Sequence, residues 1–370
     1  MKKLVIDQKT LKENIEKIKN YAPKLDNNEE YTIIGIVKGN GYGLDLIKYS
    51  KFLINNGIKM LAVATVEEAL ELRRNDIKVD ILMLSTINSK EELQELVEKD
   101  ILITIGSTKS AQLANEIAEE GHNIRAHIKI DTGFGRYGFI YNDYRTIVET
   151  IEHLNKNIQI EGIYSHFSIS YYKNNKCTKE QFNRFINLIE VLETNNIKIK
   201  MKHICNSPAF LNYPNMHLNA ARIGSAFLGR VNAEVDIGLK KLGEFQVNIA
   251  EIKTVPKGFN ISYANAYKTK RKTQIAIIPF GYGEGFNIGP RQDMFRKIDK
   301  TRNLYRSIKS LFKKEKLTVR INGKNYDIIG TLGMYHAIID ITDSDINMND
   351  IVEININPLY LDRKIRREYI

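Results

Sequence analysis

Eight short apolar runs dominate residues 31–224, each closed by a polar or glycine-rich corner and most followed by a stretch with helical spacing. They cover residues 32–38, 60–65, 80–86, 101–106, 124–131, 158–167, 201–206 and 220–224. Residues 66–76, 90–99 and 179–195 repeat apolar side chains at helical intervals; in the last, Phe182, Phe185, Leu188, Ile189 and Leu192 share one face. The runs are apolar on both faces, as strands are when helices cover a parallel sheet. Eight such units predict a closed (β/α)8 TIM-type barrel. An open doubly wound sheet is the alternative, but no G-x-G-x-x-G follows the first run.

After residue 235 the rhythm changes to successive strand-like segments, at 245–254, 273–279, 318–321, 326–330, 336–342 and 351–356. Asn322-Gly323 between two of them signals a tight hairpin. The chain therefore reads as a barrel over 8–235 and a mostly β domain over 236–370, joined by an N-terminal strand within 1–7. Asp7 or Thr10 would cap the helix that follows that strand. One segment interrupts the β domain: residues 291–316 hold ten Lys or Arg and three Asp or Glu. Met294, Phe295, Ile298, Tyr305, Ile308, Leu311 and Phe312 recur there at helical spacing, which predicts an amphipathic helix with a basic outer face.

Composition excludes several classes. Two cysteines, Cys177 and Cys205, cannot make a disulfide framework and fit a reducing compartment. The N-terminus lacks the apolar core of a signal peptide, and no run approaches the roughly 18 residues of a membrane span. A soluble, cytoplasmic protein is expected, without nucleic-acid or membrane partners and without a metal site. The net charge of +11 reads as a lysine-rich solvated surface, since no nucleic-acid motif accompanies it.

In a parallel barrel the reactive face lies at the carboxyl ends of the strands. Lys38 closes the first run, Lys129 and Asp131 the fifth with Arg136 just beyond, and His166 the sixth. Asn206 and Ser207 follow the seventh, and Arg222 lies in the eighth. Each has an ordinary explanation alone; together they make one cationic face for chemistry. Lys38 sits among glycines, where a planar ligand can approach closely. Burial and neighbouring cations would free its amine for covalent bonding to a carbonyl.

Val37-Lys38-Gly39-Asn40-Gly41-Tyr42-Gly43 resembles the cofactor-lysine motif of the alanine racemase family, fold-type III pyridoxal-phosphate enzymes. Lys129-Ile130-Asp131-Thr132-Gly133-Phe134-Gly135-Arg136-Tyr137-Gly138 is similar to a second, longer family string. Ser165-His166-Phe167, Asn206-Ser207, Arg222-Ile223-Gly224, Ser262-Tyr263 and Gly281-Tyr282-Gly283-Glu284-Gly285 follow in the family's order, across nearly the whole chain. The resemblance implies a racemase acting on an amino acid, with alanine expected and pyridoxal 5'-phosphate held covalently on Lys38. It makes Lys38 one acid/base and Tyr263, from the partner subunit of a homodimer, the other. It gives the phosphate to Tyr42, Ser207 and the backbone near Gly224, with Tyr360 added, and the pyridine nitrogen to Arg222, supported by His166. Arg136 and the backbone at Met334 would bind the substrate carboxylate, with Lys129 matching a lysine often carbamylated. The family link also implies a role in D-alanine supply for the cell wall.

An arginine at the ring nitrogen suits racemisation. It has no proton to accept, so the ring stays a weaker electron sink and side reactions have less time. Gly39 and Gly41 depart from the family's alanines, and Tyr335 stands where an aspartate is usual, beside Met334. The open alternatives are a serine or broader-specificity racemase, a fold-type III basic amino-acid decarboxylase, a single-barrel vitamin-binding protein, and a polyanion binder.

Overall fold

The computed structural model describes residues 1–25, 30–289, 297–312 and 317–370, and the chain divides into two compact units, Gln8–Leu242 and Met1–Asp7 with Gly243–Ile370. In the first, the apolar runs form strands β2 (Thr32–Ile36), β3 (Met60–Val63), β4 (Asp80–Met83), β5 (Ile103–Ile105), β6 (Ile124–Asp131), β8 (Ile158–Tyr164), β9 (Met201–His203) and β10 (Ala220–Ile223). All pair in parallel, in the order β4-β3-β2-β10-β9-β8-β6-β5. The seam between β4 and β5 is closed by Leu102, whose amide donates to Ile81 O while its carbonyl accepts from the Met83 amide, both at 2.9 Å. A short strand β7 (Phe139–Ile140) adds to the edge of β6.

Most strands end two or three residues before the apolar run does. β2 stops at Ile36, β8 at Tyr164 and β9 at His203. The leftover residues, including Lys38, His166 and Asn206, turn off the sheet at its carboxyl edge. The outer helices begin on side-chain caps. Thr65 accepts from the Glu68 amide, Ser89 from Glu92, and Ser107 forms a capping box with Ser110. The helix expected over 179–195 spans Lys176–Thr194, started by Asn175, and buries Phe185, Leu188, Ile189 and Leu192.

The barrel interior holds both apolar and polar side chains. Ile34, Ile36, Met60, Ala62, Leu82, Leu102 and Ala220 form one buried cluster. On β6 the alternation of a strand places Arg125, His127, Lys129 and Asp131 on one face and Ile124, Ala126, Ile128 and Ile130 on the other. The apolar set faces the helices, leaving the polar set inside.

In the second unit, β1 (Lys2–Ile6) lies in a six-stranded sheet. It pairs antiparallel with β11 (Glu244–Asn248) and parallel with β20 (Arg366–Tyr369). The first helix starts at Gln8, so Thr10 is inside it rather than at its cap. Residues 318–321 and 324–327 form the expected hairpin, with Asn322 and Gly323 both at positive φ. Val255, Ile261, Ile275 and Ile329 form a core cluster, and Phe245 stacks on Phe280 with ring centroids 3.8 Å apart. Of the basic segment, residues 291–296, with Met294 and Phe295, and residues 313–316 lie outside the described residues; Lys297–Phe312 is a helix. Its Leu304, Tyr305 and Ile308 are exposed rather than packed on the domain. Among the described residues no helix is long and apolar enough to cross a membrane.

Candidate active site

The chain leaves β2 through an unusual turn. Gly39, Asn40, Gly41, Tyr42 and Gly43 all have positive φ, from 53° to 82°, so the segment winds left-handed. Glycine takes this conformation without steric penalty, and asparagine tolerates it better than most residues. The turn is closed by Gly41 N donating to Val37 O (2.8 Å) and Gly43 N to Gly39 O (2.9 Å). Asn40 is tied on both sides: its amide donates to Glu68 Oε1 (3.0 Å) and its Oδ1 accepts from the Leu46 amide (2.9 Å). Lys38 is thereby fixed at the mouth of the barrel.

A cavity of about 280 Å³ opens there, lined by Lys38, Tyr42, Lys129, Arg136, His166, Ser207, Arg222 and Gly224 among others. Among the described residues, no carboxylate lines it. The cavity is therefore cationic through Arg136 and Arg222, and suited to an anionic ligand. Burial lowers the Lys38 pKa below its ordinary value, and Arg136 and Arg222 lower it further against the opposing pull of Glu68. Lys129 is pushed well below the usual lysine range by burial, then by Arg222 and Arg136. Its Nζ lies 4.4 Å from the centre of the Tyr164 ring.

Asp131 organises the loop after β6. Its Oδ1 accepts from the amides of Gly133 (2.8 Å) and Phe134 (2.7 Å), and its Oδ2 from those of Gly135 (2.8 Å) and Arg136 (3.0 Å). Burial opposes its charge, but the four donated hydrogen bonds outweigh it and hold its pKa below the usual carboxylate value. With both oxygens committed to the loop, Asp131 positions Arg136, whose guanidinium lies over the Phe134 ring at 4.3 Å.

On the opposite wall, Ser207 Oγ accepts from the amide of Gly224 (3.1 Å). The Tyr42 hydroxyl packs where a side chain at Gly224 would project, 2.5 Å from the position of its Cβ. Burial raises the Tyr42 pKa to about 12, so its phenol is a neutral donor. Arg222 is buried, and its nitrogens donate to Ser165 O (2.6 Å), Ile204 O (3.1 Å), His166 Nδ1 (3.1 Å) and His203 Nδ1 (2.5 Å). Burial and the surrounding cations keep His166 neutral, far below the ordinary histidine value.

The two halves of the chain match the N-terminal and C-terminal domain models of alanine racemase over residues 6–232 and 243–359. The chain belongs to the alanine racemase family. An alanine racemase of Methanococcus maripaludis is 33% identical over 357 residues, covering 94% of this chain and 87% of that one. The alanine racemase of Clostridium difficile 630 superposes with a TM-score of 0.85 at 28% identity, covering all of this chain and 95% of that one. That of Bartonella henselae, solved with covalently bound pyridoxal phosphate, shares the fold with a TM-score of 0.81 at 20% identity, over 100% of this chain and 99% of that one.

Within this alanine racemase fold, eight of the eleven residues to which the resemblance gives roles meet in one cavity: Lys38, Tyr42, Lys129, Arg136, His166, Ser207, Arg222 and Gly224. The other three, Tyr263, Met334 and Tyr360, belong to the C-terminal unit. Tyr263 is 68% exposed, on a turn where Ser262, Ala264 and Asn265 all have positive φ and where Ser262 Oγ donates to Thr331 O. Met334 is exposed, and its carbonyl accepts from the Gly283 amide at 2.8 Å. Tyr360 ends a short 3-10 turn and is half-buried. Sequence reading missed His127, His203 and Tyr164. The signal for His127 was present in the period-two polar face of β6; His203 and Tyr164 carried none, because their partners lie on other strands.

Proposed function

We propose that this chain interconverts L- and D-alanine with pyridoxal phosphate held on Lys38. The observation that carries the reading is the meeting of Lys38, Arg136, His166 and Arg222 in one cavity that no carboxylate lines among the described residues. The residues fit the cofactor. An aldehyde needs an amine that is uncharged part of the time, and burial favours that at Lys38. A phosphate needs neutral donors and a close backbone, which Tyr42, Ser207 and Gly224 offer. Bound there, pyridoxal phosphate would supply an electron sink for the pair released when the α C–H bond breaks.

The remaining work falls to the chain. Arg222 would meet the cofactor's ring nitrogen with a guanidinium that cannot take a proton, and His166 holds that guanidinium as a neutral acceptor. Arg136 grips the substrate carboxylate, its backbone set by Asp131. Burial and the flanking arginines push Lys129 toward the neutral amine, the form that combines with carbon dioxide; a carbamate there would accept from Arg136 and orient it. Lys38 Nζ exchanges the α-proton on one face of the substrate. Tyr263 Oη, brought by a second copy of the chain, exchanges it on the other, so the active species is a homodimer. We assign the backbone at Met334 to the carboxylate pocket and Tyr360 to the phosphate. The setting is the cytoplasm, where the free thiols Cys177 and Cys205 stay reduced.

The test is purified protein with added pyridoxal phosphate, given L-alanine, L-serine and L-lysine separately. D-alanine should form fastest, with no carbon dioxide released from lysine. A preparation that binds the cofactor and makes no D-alanine would sink the reading.

A further inference from the structure

Arg222 forms no ion pair among the described residues; its side-chain acceptors are neutral imidazoles. A guanidinium has donors only, so any ring atom it meets must offer a lone pair. His203 Nδ1, 2.5 Å from Arg222 Nη1, is therefore an acceptor, and the proton of a neutral His203 sits on Nε2. That Nε2 lies 3.0 Å from His127 Nδ1, which must accept in turn, so His127 also carries its proton on Nε2. The chain of donors stops there: His127 Nε2 is buried and has no hydrogen-bond partner among the described residues.

The geometry is tightly held. Both rings are fully buried. Tyr164 stacks flat on His203, with centroids 4.8 Å apart and planes 4° from parallel, and meets His127 edge-on. The His127 ring fills the space left by the missing side chain of Gly162. A buried unsatisfied donor is unfavourable, and a phenyl ring at position 127 would occupy similar space without one. The polar ring is explained if its Nδ1 is in use.

We infer that His203 and His127 are positioning residues for Arg222, two neutral imidazoles in series whose Nε2–H tautomers fix the plane in which the guanidinium meets the cavity. Its catalytic consequence rests on the reading of Arg222 given above; the relay itself is a property of the protein without cofactor.

The experiment uses cofactor-free protein with ring-15N-labelled histidine, followed by long-range proton–nitrogen correlation between about pH 6 and about pH 8.5. His127 and His203 should each show a protonated Nε2 and a bare Nδ1, with no titration. Arg222→Lys keeps a donor and should leave both patterns in place. Arg222→Met removes it; His203 should then mix tautomers, and His127 should shift with it although its hydrogen bond is to His203 and not to Arg222. A proton on His203 Nδ1 in the parent, or an unmoved His127 in Arg222→Met, overturns the relay.

Should Arg222→Met not fold, His203→Asn and His203→Phe take its place, since asparagine keeps an acceptor near the Nδ1 position and phenylalanine does not. With cofactor and alanine, His203→Phe should lose about tenfold or more in kcat with KM nearly unchanged, and His203→Asn should recover most of it. Equal losses in the two variants, or a change confined to KM, would also overturn it. The labelled spectra require no racemase activity, so a failed relay and a failed functional reading give different results.

Discussion

The imidazole of His127 stands where Gly162 would carry a side chain: a Cβ built there would lie 2.5 Å from Cε1 of the ring. The two residues sit on neighbouring strands, β6 and β8, paired in register. The clash is with a buried ring rather than a flexible tip. Gly162→Ala should therefore cost about 1–3 kcal/mol of folding stability, read as a lowered urea midpoint. A variant as stable as the parent would show that the ring is free to move.

Asp131→Asn should loosen the loop that carries Arg136. Asparagine offers one acceptor oxygen, and its amide would turn N–H groups toward two of the four backbone donors. Losing charge-assisted hydrogen bonds at a largely buried site should cost about 2–3 kcal/mol. In steady-state assays KM for alanine should rise more than kcat falls. A loss confined to kcat would separate Asp131 from Arg136.

Acid should destabilise the fold before carboxylates titrate. Burial, then Arg222 and Arg125, lowers the His127 pKa from 6.5 to about 3, and burial with Arg222 lowers that of His203 well below 6.5. In the unfolded chain both rings bind a proton near their ordinary value, so the stability these two rings contribute is complete above 6.5 and falls as pH drops below it. The expected slope is about 1.4 kcal/mol per pH unit for each ring. The Asp131 contribution has the opposite origin, a lowered carboxylate pKa, and is lost only below its ordinary 3.8. Urea denaturation at several pH values would reveal the slope; flat stability down to about pH 5 would mean the rings are charged in the fold.

Tyr263→Phe should slow proton exchange from one alanine enantiomer more than from the other, by about a hundredfold or more, while Lys38→Ala should abolish both directions. Initial rates measured separately from L- and D-alanine, with deuterium uptake from solvent, distinguish the two roles. Equal mild losses in both directions with Tyr263→Phe would remove it as a base.

The barrel was readable because buried parallel strands leave long apolar runs, and the site because Lys38, Asp131, His166, Ser207 and Arg222 fall where those runs end. What local pattern could not carry was contact across strands. His203 looks like any strand-end histidine until Arg222, nineteen positions on, is folded against it. Gly162 interrupts an apolar run without explanation until the ring from β6 fills its place. The left-handed winding after Lys38 was likewise hidden, since Asn40 and Tyr42 share it with the glycines around them.

That winding bears on how the anchoring amine can move. Where a residue with a Cβ is held left-handed, the backbone stores roughly 1–2 kcal/mol of torsional strain. Gly39, Gly41 and Gly43 store almost none, so the strain of the turn is confined to Asn40 and Tyr42. Asn40 is held there by its bonds to Glu68 and the Leu46 amide, which resist any unwinding next to the lysine. Travel of the amine therefore comes chiefly from rotation about the bonds of its own aliphatic stalk.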